Sequence, residues 1–294
     1  MKRKPFWAPA QPLTRRRNNQ SISKKFVYSP GKAWHNEGMQ DESGRIEENR
    51  CLGENYYLLK INAPQIAREA KPGNFVMVRV SPSLDPLLRR PFGILQSQPP
   101  HIWLYFQVKG RGTSLLKNRQ AGDRLDILGP LGNAFPELPG KKILLIAGGR
   151  GIVPLFSYAK TYAGKQPLIL LYGGRSAADL HLLAELSVMP LQKSYIFSED
   201  GSCGEKGLLT SGLEKIIAEQ HPEVTMACGP EAMLAALAKM LKIKNLENYA
   251  SLEAIMGCGF GVCHGCAVAA VDGQYHKVCD EGPVFPLEKI KWPI

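Results

Sequence analysis

The sequence predicts an α/β plus β fold: a small β-barrel over residues 44–139, an open parallel α/β domain over 140–249 and a cysteine-bearing subdomain over 250–294. Three observations carry that expectation. Short alternating segments punctuated by Pro and Gly fill the first stretch, and apolar strands alternating with helical stretches fill the second. Four of the seven cysteines crowd into the third.

The length supports this division, since 294 residues exceed the usual single domain and suffice for two cores. A hydrophobic share of 44 % and a charged share of 21 % are ordinary for globular chains and exclude disorder throughout. The formal charge of +11 is concentrated at the start: residues 1–40 hold nine Lys/Arg and one acidic residue, leaving only about +3 for the rest. A basic arm for nucleic acid is one reading of Lys2-Arg3-Lys4, Arg15-Arg16-Arg17 and Lys24-Lys25. No aromatic-rich RNA-binding motif follows it, so no nucleic-acid partner is expected. Residues 1–43 lack periodicity and are rich in Pro, Asn, Ser and Gln, which predicts a disordered tail. A mitochondrial-type presequence, or translation starting at Met39, are the other readings of this stretch. No run approaches the roughly 18 apolar residues of a membrane span, nor does a secretory signal begin the chain. The expectation is a cytoplasmic protein.

The barrel is read from segments such as Tyr56-Tyr57-Leu58-Leu59-Lys60-Ile61, Phe75-Val76-Met77-Val78-Arg79-Val80 and Ile102-Trp103-Leu104-Tyr105-Phe106-Gln107-Val108. Two motifs on it carry chemistry. In Arg90-Pro91-Phe92-Gly93 an arginine precedes a rigid extended stretch and an aromatic ring, which can offer a guanidinium to a diphosphate and a flat face to a flavin or adenine. In Val108-Lys109-Gly110-Arg111-Gly112-Thr113 a glycine-rich turn leads from a strand into a helix, where free N–H groups can receive phosphate oxygens. An ordinary arginine-bearing loop and a plain strand-to-helix turn are the alternatives.

In the second domain, Lys141-Lys142-Ile143-Leu144-Leu145-Ile146-Ala147 reads as a buried parallel strand. Gly148-Gly149-Arg150-Gly151 follows it, and a helix is predicted to begin near Pro154. Further strands are predicted at Leu168-Ile169-Leu170-Leu171, Ser194-Tyr195-Ile196-Phe197 and Val224-Thr225-Met226-Ala227, the last entering Cys228-Gly229-Pro230. Ligands of such sheets bind beyond the carboxyl ends of the strands, so Gly148, Gly149, Gly151, Cys228, Gly229 and Pro230 are placed to meet a dinucleotide. The glycine run is not the G-x-G-x-x-G fingerprint, and tight strand–helix packing explains it equally well. Cys228 also reads as a small buried hydrophobe.

Near the end, Cys258, Cys263 and Cys266 follow C-x4-C-x2-C spacing, with Cys279 after twelve intervening residues. That is the spacing of plant-type two-iron, two-sulfur proteins, in which three thiolates come from one loop and the fourth from elsewhere. Gly257, Gly259, Gly261 and Gly265 let the loop take positive φ and bring N–H groups near sulfur. A zinc site of four cysteines and unligated buried thiols are the alternatives. His264 reads as a non-ligand.

Together, Arg90-Pro91-Phe92, Gly112-Thr113, Gly148-Gly149-x-Gly151 and Cys228-Gly229-Pro230 resemble the ferredoxin-reductase superfamily. Within it, Gly257 to Cys266 and Tyr275-His276-Lys277-Val278-Cys279-Asp280-Glu281-Gly282-Pro283-Val284-Phe285 are similar to the electron-transfer subunits of NAD-linked dihydroorotate dehydrogenases. The resemblance runs from about Gly44 to Pro286. It implies FAD contacts at Arg90, Pro91, Phe92, Gly93, Tyr105, Phe106, Gln107, Gly112 and Thr113, and a 2Fe-2S cluster on Cys258, Cys263, Cys266 and Cys279. It also implies NAD as substrate and an FMN-containing catalytic partner, two copies of each. This chain has no acid–base set for pyrimidine chemistry.

Two positions depart from the family pattern: Gly93, usually Ser or Thr, and Gln107, usually Arg. Backbone N–H groups and Arg89 are the expected replacements. Arg175 can face a 2′-phosphate, which leaves NAD against NADP open. A diaphorase subunit of a sulfide dehydrogenase or of an NADH-dependent ferredoxin:NADP oxidoreductase shares these motifs. A zinc-bearing interaction module is the reading from another class.

Overall fold

The computed structural model describes residues 39–292 except 54, 243 and 245. The predicted tail lies outside the described residues up to 38. The first strand, β1, is Gln40–Gly53, so the barrel begins four residues before the boundary expected at Gly44.

Five more strands complete it: β2 Tyr56–Asn62, β3 Phe75–Arg79, β4 Arg90–Gln98, β5 His101–Gln107 and β6 Arg124–Leu131. They close in the order β1-β2-β5-β4-β3-β6, which leaves no unpaired edge. Two short helices, α1 Pro64–Glu69 and α2 Arg111–Lys117, fill connections. Alternation decides what each strand buries. Along β3, Val76 and Val78 join the barrel interior, whereas Phe75 and Met77 join a second core shared with the carboxy-terminal segment.

The α/β domain follows in alternation: β7 Ile143–Gly148, α3 Ile152–Tyr162, β8 Leu168–Gly174, α4 Leu183–Ser187, β9 Lys193–Ser198, β10 Glu205–Lys206, α5 Leu209–Gln220, β11 Val224–Cys228 and α6 Glu231–Leu241. Every residue of β7 is buried, as a central parallel strand covered on both faces requires. Pro154 falls in the first turn of α3, where its missing N–H costs no helical hydrogen bond.

The sheet does not end with this domain. Strand β12, Glu247–Ser251, pairs parallel to β11. After the short hairpin β13 Ala267–Ala269 and β14 Tyr275–Lys277, the last strand β15, Val284–Pro286, pairs antiparallel to β12. The seven strands run β10-β9-β8-β7-β11-β12-β15, so the expected all-parallel sheet is mixed at one edge. Among the described residues no helix is long and apolar enough to cross a membrane.

Candidate cofactor and cluster sites

Strand β4 brings the arginine motif beside β3, with Met77 opposite Pro91 and Phe75 opposite Gly93. Phe92 turns inward and meets Phe106 edge-on, ring centroids 5.8 Å apart, so it is a barrel-core residue rather than the flat outer face the sequence suggests. The Arg90 guanidinium donates to the Leu88 carbonyl. It also lies so near α2 that a Cβ on Gly112 would sit 2.9 Å from its Nε, which explains glycine there. The adjoining turn is preformed: Thr113 Oγ1 accepts from the Lys109 and Gly110 N–H groups at 2.9 and 3.2 Å. Those two donors are thus used internally.

Gly93 has a steric reason. A Cβ there would come within 3.0 Å of Val153 Cγ1 on α3, so a larger residue at this position crowds the sheet domain. Gly93→Ser is expected to destabilise the chain by about 1–3 kcal/mol, with Val153→Ala restoring most of it. Thermal unfolding of the single and double variants checks this.

Tyr105 stacks on Tyr56 at 5.6 Å within the core joining barrel to sheet, and Phe106 is buried in the barrel. Of the three residues ending β5, only Gln107 sends its side chain into the open cleft between the domains. That cleft has a volume of about 850 Å³. Its barrel wall holds Gln107 and Lys109; its sheet wall holds Gly148, Gly149, Gly151, Gly229 and Pro230, all singled out from sequence. Cys228 does not line it. Its thiol is buried, and burial, followed by the Glu253 charge, pushes it well above the ordinary thiol range, so it is an inert neutral group.

Sequence reasoning missed Tyr56, Asp179 and Arg150. Arg150 Nη1 donates to Gln107 Oε1 at 2.6 Å, and its Nη2 lies 3.9 Å from Glu253 Oε2. The signal was a charge interrupting a run of glycines and apolar residues at the end of a central strand. The charge expected at Gln107 therefore comes from the sheet; Arg89, the expected substitute, is paired with Asp41 at 3.0 Å. Arg175 is likewise engaged, its Nε 3.1 Å from Asp179 Oδ2, while Tyr56 donates to Asp179 Oδ1 at 3.2 Å. Burial works against the charged form of Asp179, but these hydrogen bonds and the guanidinium outweigh it and hold the carboxyl below its usual range.

The four clustered cysteines fall into two pairs, Cys258 with Cys263 and Cys266 with Cys279, each pair within hydrogen-bonding reach. Among the described residues no three His, Cys, Asp or Glu side chains converge on a single ion. Two pairs of thiols suit two irons bridged by sulfide better than one tetrahedral zinc. Backbone donors already point at sulfur: Gly261 N–H to Cys279 Sγ at 3.1 Å, Cys263 N–H to Cys258 Sγ at 3.4 Å and Cys279 N–H to Cys266 Sγ at 3.4 Å.

Burial opposes ionisation of Cys258, yet backbone donors from Cys263, Phe260 and Val262 prevail and bring it to about 7. Burial and the neighbouring thiol push Cys279 up to about 12, a shift that a coordinated cation reverses. Of the four loop glycines, only Gly259 and Gly261 take positive φ, both +86°. At Gly257 a Cβ would sit 3.2 Å from Cys263 Sγ, so glycine there makes room for the sulfur instead. His264 is exposed, as is its neighbour Cys263.

Comparison with known proteins adds to this geometry. A family model described as the iron-sulfur cluster binding domain of dihydroorotate dehydrogenase B matches residues 253–291, and an oxidoreductase NAD-binding domain matches 145–239. The dihydroorotate dehydrogenase B (NAD(+)) electron transfer subunit of Geobacillus thermodenitrificans is 37 % identical over 249 residues, covering 82 % of this chain and 94 % of that one. This chain belongs to the dihydroorotate dehydrogenase B electron transfer subunit family.

Another relative of the electron transfer subunit family, the homolog from Aquifex aeolicus, is 37 % identical over 253 residues, 84 % of this chain and 97 % of its own. Among solved structures, one from work on flavin-based electron bifurcation by an NADH-dependent reduced ferredoxin-NADP oxidoreductase aligns with a TM-score of 0.74 at 26 % identity. It covers 90 % of this family member and 92 % of that chain. A ferredoxin NADP+ reductase from Neisseria gonorrhoeae with bound FAD and NADP shares the fold alone, at TM-score 0.59 and 15 % identity over 70 % of this chain and 91 % of its own.

Proposed function

We propose that this chain passes electrons between a dihydroorotate-oxidising partner and NAD, using a 2Fe-2S cluster on Cys258, Cys263, Cys266 and Cys279 and FAD held between barrel and sheet. Bound flavin would supply the exchange between two-electron and one-electron transfer, and the cluster would accept electrons singly. The chain's own residues do the rest. Arg90, braced against α2 at Gly112, meets the flavin diphosphate, and the ends of β4 and β5 present backbone to its ring. Gly148, Gly149 and Gly151, with Gly229 and Pro230, leave space for the dinucleotide at the strand ends.

One observation carries the reading. A Cβ on Gly259 would collide with Met77, so the cluster loop rests on β3, and the residue paired with Met77 is Pro91 of the flavin stretch. Met77 thus touches the cluster loop on one strand while its paired residue stands in the flavin stretch on the next, about 5 Å away between backbones. The partner would be an FMN-containing catalytic subunit in a heterotetramer of two copies of each chain, working in the cytoplasm. The relatives' names, electron transfer subunits of dihydroorotate dehydrogenase B, support a separate catalytic partner.

The test is an absorption spectrum with iron, sulfide and flavin content on protein purified without oxygen and co-expressed with that partner. Flavin plus about two irons per chain, reduced by dihydroorotate through the partner, is the expected result. Reduction by NADH but not by dihydroorotate would assign the chain to a different partner. Zinc without flavin would sink the reading.

A further inference from the structure

Arg150 stands out because nothing near it cancels its charge closely. It lies in the glycine turn after β7, directly before the N-terminus of the eleven-residue helix α3, whose free N–H groups are themselves positive. The other arginine lining the cleft, Arg175, is matched to Asp179 at 3.1 Å. Arg150 has Glu253 at 3.9 Å, whose side chain is 64 % exposed, so water weakens that pair.

What fixes Arg150 is a neutral amide, the Gln107 side chain at 2.6 Å. The amide orients the guanidinium without neutralising it. The result is a cation held across the joint between barrel and sheet, one third exposed, in the wall of the cleft. Its field reaches groups of both domains: burial raises the proton affinity of Tyr56, Tyr105 and Cys228, and the Arg150 charge pulls each of them back. A fixed cation of this kind favours whatever negative charge develops in the cleft.

We propose that Arg150, aimed by Gln107 as its positioning residue, sets the reduction potential of the flavin by stabilising the negative charge that hydride transfer leaves on the ring. The proposal rests on the reading above that FAD and NAD meet in this cleft. The balance is simple: a hydride carries two electrons and one proton from NADH, which becomes NAD+, and the neutral ring gains one hydrogen and one negative charge. The reverse transfer removes both. The residue thereby biases the direction of traffic without touching the cluster.

The experiment is a redox titration of the full chain in complex with its partner, with flavin followed by absorbance and the cluster by electron paramagnetic resonance. At fixed potential, Arg150→Gln should shift the ratio of reduced to oxidised flavin about tenfold toward oxidised and leave the cluster's ratio unchanged. Arg150→Lys should keep most of the wild-type ratio. The double variant Gln107→Arg with Arg150→Gln, which returns a guanidinium from the barrel side of the same contact, should restore it.

Glu253→Gln gives the opposite sign from an exposed position that tolerates substitution: the ratio should move toward reduced. A flavin ratio that Arg150→Gln leaves unmoved in folded, flavin-loaded protein would overturn the proposal, as would a Glu253→Gln shift toward oxidised. A wild-type chain that binds no flavin would instead overturn the proposed function, and this inference with it.

Discussion

Cys266→Ser is expected to leave the chain with almost no iron, and to cut electron flow from the catalytic partner to NAD at least about 100-fold. Reduction of an artificial dye by NADH through the flavin should persist. Cys266 and Cys279 are 3 % and 2 % exposed and pack with Val278, Met77 and Leu131, so the buried pair is ligand and core at once. Serine is a poorer iron ligand, and its shorter side chain draws the acceptor back from the Cys279 N–H that donates to the Cys266 sulfur, which costs about 1 kcal/mol. Cys263 is exposed, and Cys263→Ser should retain more of the cluster. Iron and sulfide analysis of the two variants decides the matter: equal retention in both would show that burial does not rank the ligands.

Gly151→Ala is expected to be the most damaging glycine-to-alanine change among the described residues, destabilising the chain by more than about 3 kcal/mol and abolishing NADH binding. A Cβ at that position would overlap the Cys228 carbonyl and the Gly229 nitrogen. These are backbone atoms at the end of β11, a buried strand paired on both sides, so no side-chain rotation relieves the clash. Gly149→Ala is the matched control. Nothing lies within 4 Å of its Cβ, but φ there is +51°, so only the ordinary penalty of about 1 kcal/mol applies. Thermal unfolding and NADH titration of the pair separate overlap from conformational preference; equal losses would refute the packing argument.

The barrel, the α/β alternation and the cysteine spacing were legible because each repeats a local pattern. The unbroken apolar run of β3, the fully apolar run of β7 and the interval between Cys258 and Cys266 are properties of neighbouring residues. What could not be read depends on contacts between distant segments. Phe92 looks like a platform in sequence, and only the closure of the barrel turns it onto Phe106. Gly93 looks like a lost hydroxyl until α3 brings Val153 against it. The Arg150–Gln107 bond joins residues 43 positions apart in two domains, and no periodicity announces it. Likewise, β15 is three residues long, too short to register as a strand except through its pairing with β12.

That last pairing makes the iron-binding stretch an excursion rather than an appendage. The chain leaves the sheet after Ser251, forms the cysteine loops and returns at Val284 to the strand it left, while Asn133 of the barrel side holds the return by donating to the carbonyls of Glu281 and Val284 at 3.0 and 2.9 Å. Both ends of the excursion are anchored. A protease that nicks it therefore leaves two tethered halves, whereas a stop codon ahead of it strips β12 of its outer neighbour and bares a row of unpaired N–H and C=O groups. A gene shortened at this point would encode a chain whose sheet ends at β12, so simple truncation removes part of the sheet together with the cluster loops.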